Sequence, residues 1–273
     1  MPNLSKSSVS FALTILSALF ATIASGASAP RIIGGEPILM DKAPSIVALI
    51  DASRLASTGS LSQAVRCGGT VIAERWVLTA AHCVTNDETV MATDELRILA
   101  NSHDLNNPSE TTIAIRQIIV HEERNPATNS NDVALIELAT ATSAPATPIS
   151  LVDPELNELT LVAGWGALQH TEAEGSFNFP STLHAVEVSA LPGEQCNTLP
   201  YYAGLIDETM ICAGFPNGGK DHCHGDSGGP LYRYVTDGSL ELAGVVSWAF
   251  GCGLEGRPGV YADVPHFQDW IMS

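Results

Sequence analysis

Basic residues are scarce in this sequence of 273 residues, which holds 12 Lys and Arg against 30 Asp and Glu and carries a formal net charge of −18. Without Lys6 and Arg31, which belong to an N-terminal leader, the charge becomes −20. A surface this acidic repels phosphates and other anionic surfaces, which excludes nucleic acid as a partner. It also favours solubility and attracts basic ligands or substrates at low salt.

Long apolar runs are also missing, with one exception at the N-terminus. Residues 9–24 are almost entirely apolar, and Lys6 is the only charged residue before Arg31. Small residues follow, so the pattern predicts a secretory signal peptide that ends at Ala27 or, alternatively, at Ala29. An uncleaved membrane anchor is the competing interpretation, although the run falls just short of the usual length of a membrane-spanning helix.

No two cysteines have the CxxC spacing of a zinc or redox site, and no Asn-x-Ser/Thr glycosylation motif follows the leader. An even number of cysteines in a secreted chain predicts three disulfides, and sequence alone leaves fifteen pairings open. The triplet His222-Cys223-His224 could be taken for a metal cluster, but a cysteine in a disulfide cannot bind a metal. The cysteines are Cys67, Cys83, Cys196, Cys212, Cys223 and Cys252.

A helical period is absent until the C-terminus, where residues 265–271 could form a short helix. Many short, β-branched or aromatic runs without intervening helices predict an all-β sandwich or barrel. Residues 53–63 are predicted to be a surface loop, and residues 139–148, all Ala, Thr, Ser and Pro, a connection between two halves. The predicted strands lie near residues 45–50, 70–72, 76–80, 96–99, 112–120, 133–138 and 242–248.

Residues 225–230, GDSGGP, surround Ser227 with three glycines and a proline. This stretch can turn sharply and let another chain approach closely, as a nucleophile requires, although a plain tight turn has the same composition. Two other residues could assist a nucleophile: His82 in TAAHC and Asp132 in NDVALIEL. Each has an ordinary alternative, since a histidine beside a disulfide is usually structural and an acid before a strand usually caps a turn.

Together TAAHC, NDVALIEL and GDSGGP resemble the trypsin and chymotrypsin family of serine endopeptidases, and the match runs from Arg31 to the C-terminus. The order His82, Asp132, Ser227 is the chymotrypsin-type order. The resemblance implies two six-stranded antiparallel β-barrels with the active site in the cleft between them. It makes Ser227 the nucleophile, His82 its general base and Asp132 the residue that orients His82. The backbone N–H groups of Gly225 and Ser227 would form the oxyanion hole.

The resemblance also implies a zymogen. Residues 1–27 would be the signal peptide, residues 28–31 a short propeptide and residues 32–273 the protease domain. Cleavage after Arg31 would free the α-amino group of Ile32, which would pair with Asp226 and order the oxyanion loop.

The specificity pocket follows from the same resemblance. Asp221 matches the acid at the base of a trypsin-type pocket, which binds Arg or Lys side chains by charge. His222 stands where a small residue is common, so its imidazole would crowd the pocket or, when protonated, offset the charge of Asp221. Ala249 replaces a glycine at the pocket entrance. The expected substrate-binding residues are Asp221, His222, Ser247, Trp248, Ala249 and Gly259.

The family pattern pairs Cys67 with Cys83, Cys196 with Cys212, and Cys223 with Cys252. Glu110 matches one calcium ligand of several trypsins, but Ala100 occupies the position of another, so no metal and no cofactor are expected.

We therefore predict a secreted, monomeric serine endopeptidase that cuts after Arg or Lys. Its partners would be protein or peptide substrates and protein protease inhibitors, with no nucleic acid and, once the signal is removed, no membrane. Two other interpretations remain open: a protease-like binding protein or inhibitor with little activity, and a membrane-anchored protease.

Overall fold

The computed structural model describes residues 32–86, 89–170 and 179–273. The predicted signal peptide, the predicted propeptide and Arg31 lie outside the described residues. The strands are β1 (Glu36–Pro37), β2 (Ile46–Asp51), β3 (Val65–Ala73), β4 (Trp76–Thr79), β5 (Thr85–Asn86), β6 (Thr89–Val90), β7 (Leu96–Leu99), β8 (Ile113–Val120), β9 (Ala134–Leu138), β10 (Leu159–Gly164), β11 (His184–Leu191), β12 (Met210–Ala213), β13 (Pro230–Tyr234), β14 (Leu240–Trp248) and β15 (Gly259–Asp263). The α-helices are α1 (Ala52–Thr58), α2 (Leu61–Ala64), α3 (Gly193–Cys196) and α4 (Gln268–Met272).

The strands form two closed antiparallel barrels of six strands each. The first barrel follows the order β2-β3-β4-β9-β8-β7. The second follows β11-β10-β13-β14-β15-β12 and closes through the pairing of β11 with β12, while β1 adds to the outer side of β11. Closure leaves no long unpaired strand edge in either barrel. The prediction of an all-β fold with two six-stranded barrels is confirmed.

Apolar strands fill the first barrel. In β2 the five residues 46–50 are completely buried, as expected for a β-branched and apolar run that packs on both faces. Helix α4 packs against the same core through Trp270 and Ile271. The predicted short C-terminal helix is therefore confirmed, and it covers the first barrel although it follows the last strand of the second.

The two barrels contact each other at the loop that precedes β13. The backbone N–H of Gly68 in β3 donates a hydrogen bond to the carbonyl oxygen of Ser227 at 2.8 Å. Gly228 has a φ of +75°, and a Cβ there would collide with Thr79 and the carbonyl oxygen of Gly68.

The chain passes from the first barrel to the second between β9 and β10, and this segment includes the predicted connection at 139–148.

Three disulfides link Cys67 with Cys83, Cys196 with Cys212 and Cys223 with Cys252, the pairs that the resemblance implied. The first joins β3 to the turn after β4, and the third joins the segment before β13 to the segment after β14. The first and third disulfides therefore constrain the segments that carry His82 and Ser227.

The prediction of a surface loop at residues 53–63 was wrong, because α1 and α2 occupy this stretch. Asp51 caps α1 by accepting a hydrogen bond from the backbone N–H of Arg54 at 2.9 Å, and Gly59 ends the helix in the left-handed conformation. Ser60 caps α2 in the same way, from Gln63. The capping residues are visible in the sequence, although the Gly, Ser and Thr content of the stretch favours a loop.

Asp263, at the end of β15, is expected to make stability depend on pH. Burial, then the charge of Asp153 and a hydrogen bond to it, raises the pKa of Asp263 to about 8. Between the ordinary aspartate pKa and this value the folded chain binds more protons here than the unfolded chain, so the free energy of unfolding falls as pH rises from about 4 to about 8. Asp263→Asn removes this loss and should stabilise the protein at pH 8 by about 1–3 kcal/mol.

Urea unfolding under non-reducing conditions, at pH 4 and at pH 8, measures the effect. Asp41→Asn, at an exposed position, is the matched control and should change stability little at either pH. An Asp263→Asn variant that is no more stable than the parent at pH 8 contradicts the expectation.

Candidate active site

Asp132 lies just before β9 and is 1% exposed. Its Oδ1 accepts a hydrogen bond from the backbone N–H of His82 at 3.0 Å, and its Oδ2 lies 2.7 Å from His82 Nδ1. Ser247 Oγ donates to Oδ2 at 2.5 Å, and Nε of Arg124 lies 3.2 Å from Oδ1. Both carboxylate oxygens therefore have two partners, which fixes the side chain.

The contacts of Asp132 set its charge. Burial opposes ionisation, but the charge and hydrogen bond of His82, the charge of Arg124 and the hydrogen bond from Ser247 lower the pKa of Asp132 to about 2. An ionised Asp132 accepts a hydrogen bond from His82 Nδ1–H, so neutral His82 carries its proton on Nδ1 and leaves Nε2 unprotonated. The His82 side chain is 35% exposed, and its Nε2 lies 3.7 Å from Sγ of Cys83.

His82 is held by the chain around it. It lies in a single 3₁₀ turn, Ala81–Cys83, directly after β4, and its neighbour Cys83 forms the disulfide to Cys67 in β3. Among the described residues, Cys67, His82 and Cys83 are the one group close enough to suggest a metal site, but both cysteines are in that disulfide.

Ser227 is partly exposed and borders a cavity of about 240 Å³. Its neighbour Gly228 packs so closely on the first barrel that a Cβ there would lie 3.1 Å from Sγ of Cys83. The structure therefore brings the loop of Ser227 against the turn that carries His82. The cavity is lined by His222, Cys223, His224, Ser227, Ser247, Trp248, Ala249, Gly251 and Cys252.

Gly225 has a φ of +93°, a conformation that favours glycine. A Cβ there would also lie 2.9 Å from the ring of Phe179. The glycine is therefore required for the shape of this loop.

Asp226 is completely buried in the same loop. Its carboxylate accepts hydrogen bonds from the backbone N–H groups of Gly166 at 2.8 Å and Cys223 at 2.9 Å. Burial nevertheless raises the pKa of Asp226 to about 7, against these hydrogen bonds. A cation beside this carboxylate would stabilise its ionised form.

Ile32, the first described residue, is completely buried in the core of the second barrel with Val162, Val246 and Tyr261. Its φ of 37° is one that β-branched residues rarely adopt. The following residue, Ile33, accepts a hydrogen bond through its carbonyl oxygen from the backbone N–H of Asp221 at 3.1 Å. The start of the described chain is thus packed beside the loops of the site.

Asp221 and His222, which were expected to belong to the substrate pocket, lie differently with respect to the cavity. Asp221 is buried but is not among the residues that line the cavity, whereas His222 is. Nε2 of His222 lies 4.0 Å from Oδ1 of Asp221, and its ring packs edge-on against Tyr261 with centroids 5.1 Å apart. A Cβ on Gly259 would collide with both His222 and Asp221. The imidazole therefore takes up space next to the acid.

Burial disfavours charge on both members of this pair. It raises the pKa of Asp221 well above its ordinary value, and burial with the charge of His224 lowers the pKa of His222 to about 3. Among the described residues, Asp221 Oδ1 and His222 Nε2 have no hydrogen-bond partner, while Asp221 Oδ2 accepts from the backbone N–H of Gly253 at 2.9 Å.

Comparison with known proteins identifies the family. The sequence model described as Trypsin matches residues 32–271. The chain belongs to the trypsin family. As a trypsin-family protein it is a serine endopeptidase.

Three relatives show how far this trypsin-family similarity extends. Trypsin II-P29 of Gallus gallus is 36% identical over 269 residues, which cover 96% of this chain and 97% of the relative. Trypsin-1 of Astacus astacus is 38% identical over 213 residues, 76% of this chain and 86% of the relative. Transmembrane protease serine 11G of Mus musculus is 36% identical over 213 residues, 76% of this chain and 49% of the relative. The aligned region thus spans about half of the transmembrane protease.

Within 32–86, 89–170 and 179–273, the chain of this trypsin-family protein forms no helix of the length and hydropathy needed to cross a membrane. Glu110, the residue that matched a calcium ligand, accepts hydrogen bonds at Oε1 from Asn101 Nδ2 at 2.9 Å and from Ser143 Oγ at 2.6 Å. Its carboxylate is therefore already bonded to protein groups.

Arg124 was missed by the sequence analysis, although its guanidinium contacts Asp132 directly. The residue lies in the loop between β8 and β9, outside the three motifs that identified the site. Nothing in the local sequence indicates that this side chain reaches Asp132.

Proposed function

We propose that this trypsin-family protein hydrolyses peptide bonds through His82, Asp132 and Ser227. The observation that carries the proposal is the buried, ionised carboxylate of Asp132, which lies 2.7 Å from Nδ1 of a partly exposed His82. This contact keeps Nε2 of His82 free to accept a proton and stabilises the imidazolium that results.

In the proposed reaction, Ser227 Oγ attacks the carbonyl carbon of the substrate while His82 Nε2 takes the hydroxyl proton. The backbone N–H groups of Gly225 and Ser227 bind the oxyanion as it forms, a contribution typically of about 3–4 kcal/mol. His82 then gives its proton to the leaving amine, which leaves an acyl-enzyme on Ser227. Water, deprotonated by His82, hydrolyses this ester and restores the serine.

We infer that the chain is made as a secreted zymogen, with a signal peptide at 1–27 and cleavage after Arg31. Asp226 supports this inference, because a buried carboxylate with a raised pKa would gain a partner in the α-ammonium group of Ile32. The buried position of Ile32 supports it too, since its side chain already packs in the second barrel. Pairing with Asp226 would hold the loop that carries Gly225 in its active shape.

Ile32→Gly is expected to be cut after residue 31 but to keep at most about a tenth of the parent's activity, because the burial of an isoleucine side chain, about 2–5 kcal/mol, is lost. N-terminal sequencing measures the cut, and hydrolysis of a small ester measures activity. Leu39→Gly, at a position that is 64% exposed, is the control and should be as active as the parent. Full activity of Ile32→Gly would contradict the activation mechanism.

We propose cleavage after Arg or Lys, with Asp221 as the acid that attracts the cation. His222, in the wall of the cavity, would reduce the efficiency of this recognition because it occupies space beside Asp221. Ser247, Trp248 and Ala249, at the end of β14 and just after it, would pair with the substrate backbone. The substrates would be proteins or peptides, the other partners protein protease inhibitors, and the mature enzyme a monomer.

Active-site labelling tests the proposal and separates it from the binding-protein alternative. The chain, cleaved after Arg31, is treated with a fluorophosphonate, and the modified residue is located by mass spectrometry. We expect covalent label on Ser227 and a burst of product with an activated ester. A correctly cleaved, folded chain that takes up no label would instead be a protease-like binding protein.

A further inference from the structure

The guanidinium of Arg124 is held beside the carboxylate of Asp132. Its side chain is 11% exposed, and its Nε lies 3.2 Å from Oδ1 of Asp132. Nη1 donates hydrogen bonds to the carbonyl oxygens of Asn125 at 2.7 Å and Ser130 at 3.4 Å, and Nη2 donates to Oδ1 of Asn129 at 3.3 Å. The loop between β8 and β9 thus fixes the direction of this cation.

The cation and His82 share one carboxylate. In the proposed reaction Asp132 stabilises His82 after it has taken a proton, and that stabilisation depends on the negative charge of Asp132. The positive charge of the Arg124 guanidinium offsets part of that negative charge. Arg124 and His82 also border one cavity of about 660 Å³. The charge of Arg124 therefore disfavours the protonated form of His82.

Other titratable groups lie on the neighbouring elements. His121, Glu122 and Glu123 follow β8, and Glu122 is exposed and accepts a hydrogen bond from Trp270 Nε1 at 3.0 Å. From the loop before β12, Asp207 accepts a hydrogen bond from Ser130. His266, before α4, acts electrostatically on His121 and Asp207. From β14, Ser247 brings a neutral hydroxyl to Asp132. Among the described residues, Asp132 forms its ion pairs with His82 and Arg124.

We propose that Arg124 is a positioning residue for the reaction: acting through Asp132, its charge disfavours protonation of His82 in the free enzyme and so extends activity to lower pH. The proposal rests on the proposed triad. Because only the neutral imidazole can take the proton of Ser227, a less favourable imidazolium keeps the enzyme active in more acidic solution.

The pH profile of kcat/KM for a small ester tests the proposal, with the mature enzyme and three variants. Arg124→Gln removes the charge and keeps a hydrogen-bond donor, and we expect its half-maximal activity on the acid side to move up by about 0.5–1 pH unit. Arg124→Lys keeps the charge. The acid limb of its profile, where activity falls as pH falls, should have its midpoint within about 0.2 pH unit of that of the parent. Arg116→Gln removes an equal charge at a position that is 66% exposed in β8 and should leave the limb in place.

An acid limb that does not move in Arg124→Gln overturns the proposal, and so does an equal movement in Arg124→Lys, which would assign the effect to geometry rather than charge. If Arg124→Gln does not fold, Arg124→Met removes the same charge and carries the same expectation. The triad itself is tested separately, because a parent enzyme that takes up no fluorophosphonate refutes the proposed function, whereas a labelled, active enzyme with an unchanged limb refutes the role of Arg124 alone.

Discussion

Ser227→Ala should lower kcat by about 10⁶-fold, while KM for a peptide substrate changes little. Alanine has no hydroxyl to form the acyl-enzyme, so His82 and Asp132 lose the group on which they act. The fold should be preserved, because Ser227 contacts the first barrel through its carbonyl oxygen, which accepts a hydrogen bond from the backbone N–H of Gly68. The substitution leaves this backbone contact in place. An added protease cleaves the chain after Arg31, and steady-state kinetics then measures the loss of kcat.

Ser239→Ala, an exposed serine in the turn between β13 and β14, is the matched control and should keep full activity. Thermal unfolding of both variants should match the parent. If Ser227→Ala retained more than about one hundredth of the activity, the nucleophile would have to be another residue.

His222→Ser should raise kcat/KM for substrates with Arg or Lys at the cleavage site by about 10–100-fold. The smaller side chain frees the space beside Asp221, whose Oδ1 lacks a hydrogen-bond partner among the described residues. A substrate cation that reaches this oxygen forms charge-assisted hydrogen bonds, worth about 1.5–3 kcal/mol. Kinetics with otherwise identical peptides that carry Arg, Lys or Leu at the cleavage site measure the change.

The Leu peptide should gain less than the Arg and Lys peptides, because it has no charge for Asp221 to bind. His224→Ser is the matched control: this histidine borders the same cavity but is exposed, so its removal should change the three rates by similar, small factors. An equal gain for all three peptides in His222→Ser would mean that the imidazole limits access only and does not mask Asp221.

The sequence predicted the architecture because its signals are local and repeated. Runs such as Leu96–Leu99 appear as strands with the expected bounds. The three motifs identified the family, and the family's fold implied that His82 and Asp132 lie close together. The error at residues 53–63 was also local. There the N-cap at Asp51 and the C-cap at Gly59 define a helix, although the residue content of the stretch is typical of a loop. Capping positions are therefore the better guide to this helix.

The parts that could not be predicted depend on where side chains meet after folding. The crowding by His222 beside Asp221 was expected from the sequence, but nothing near it in the sequence reveals that its ring would pack edge-on against Tyr261. Likewise, Arg124 reaches Asp132 only because the loop between β8 and β9 bends back on itself, with its guanidinium bonded to loop oxygens. Motifs identify the reacting groups, whereas the pH range and selectivity depend on such contacts.

The hydrogen bond from Gly68 to Ser227, with Gly228 packed against Thr79 and Cys83, has a consequence for how activity is lost on unfolding. The loop of Ser227 belongs to the second barrel but is held in place by the first. Opening of the first barrel alone is therefore expected to displace Ser227 and to abolish activity, even where the second barrel stays folded.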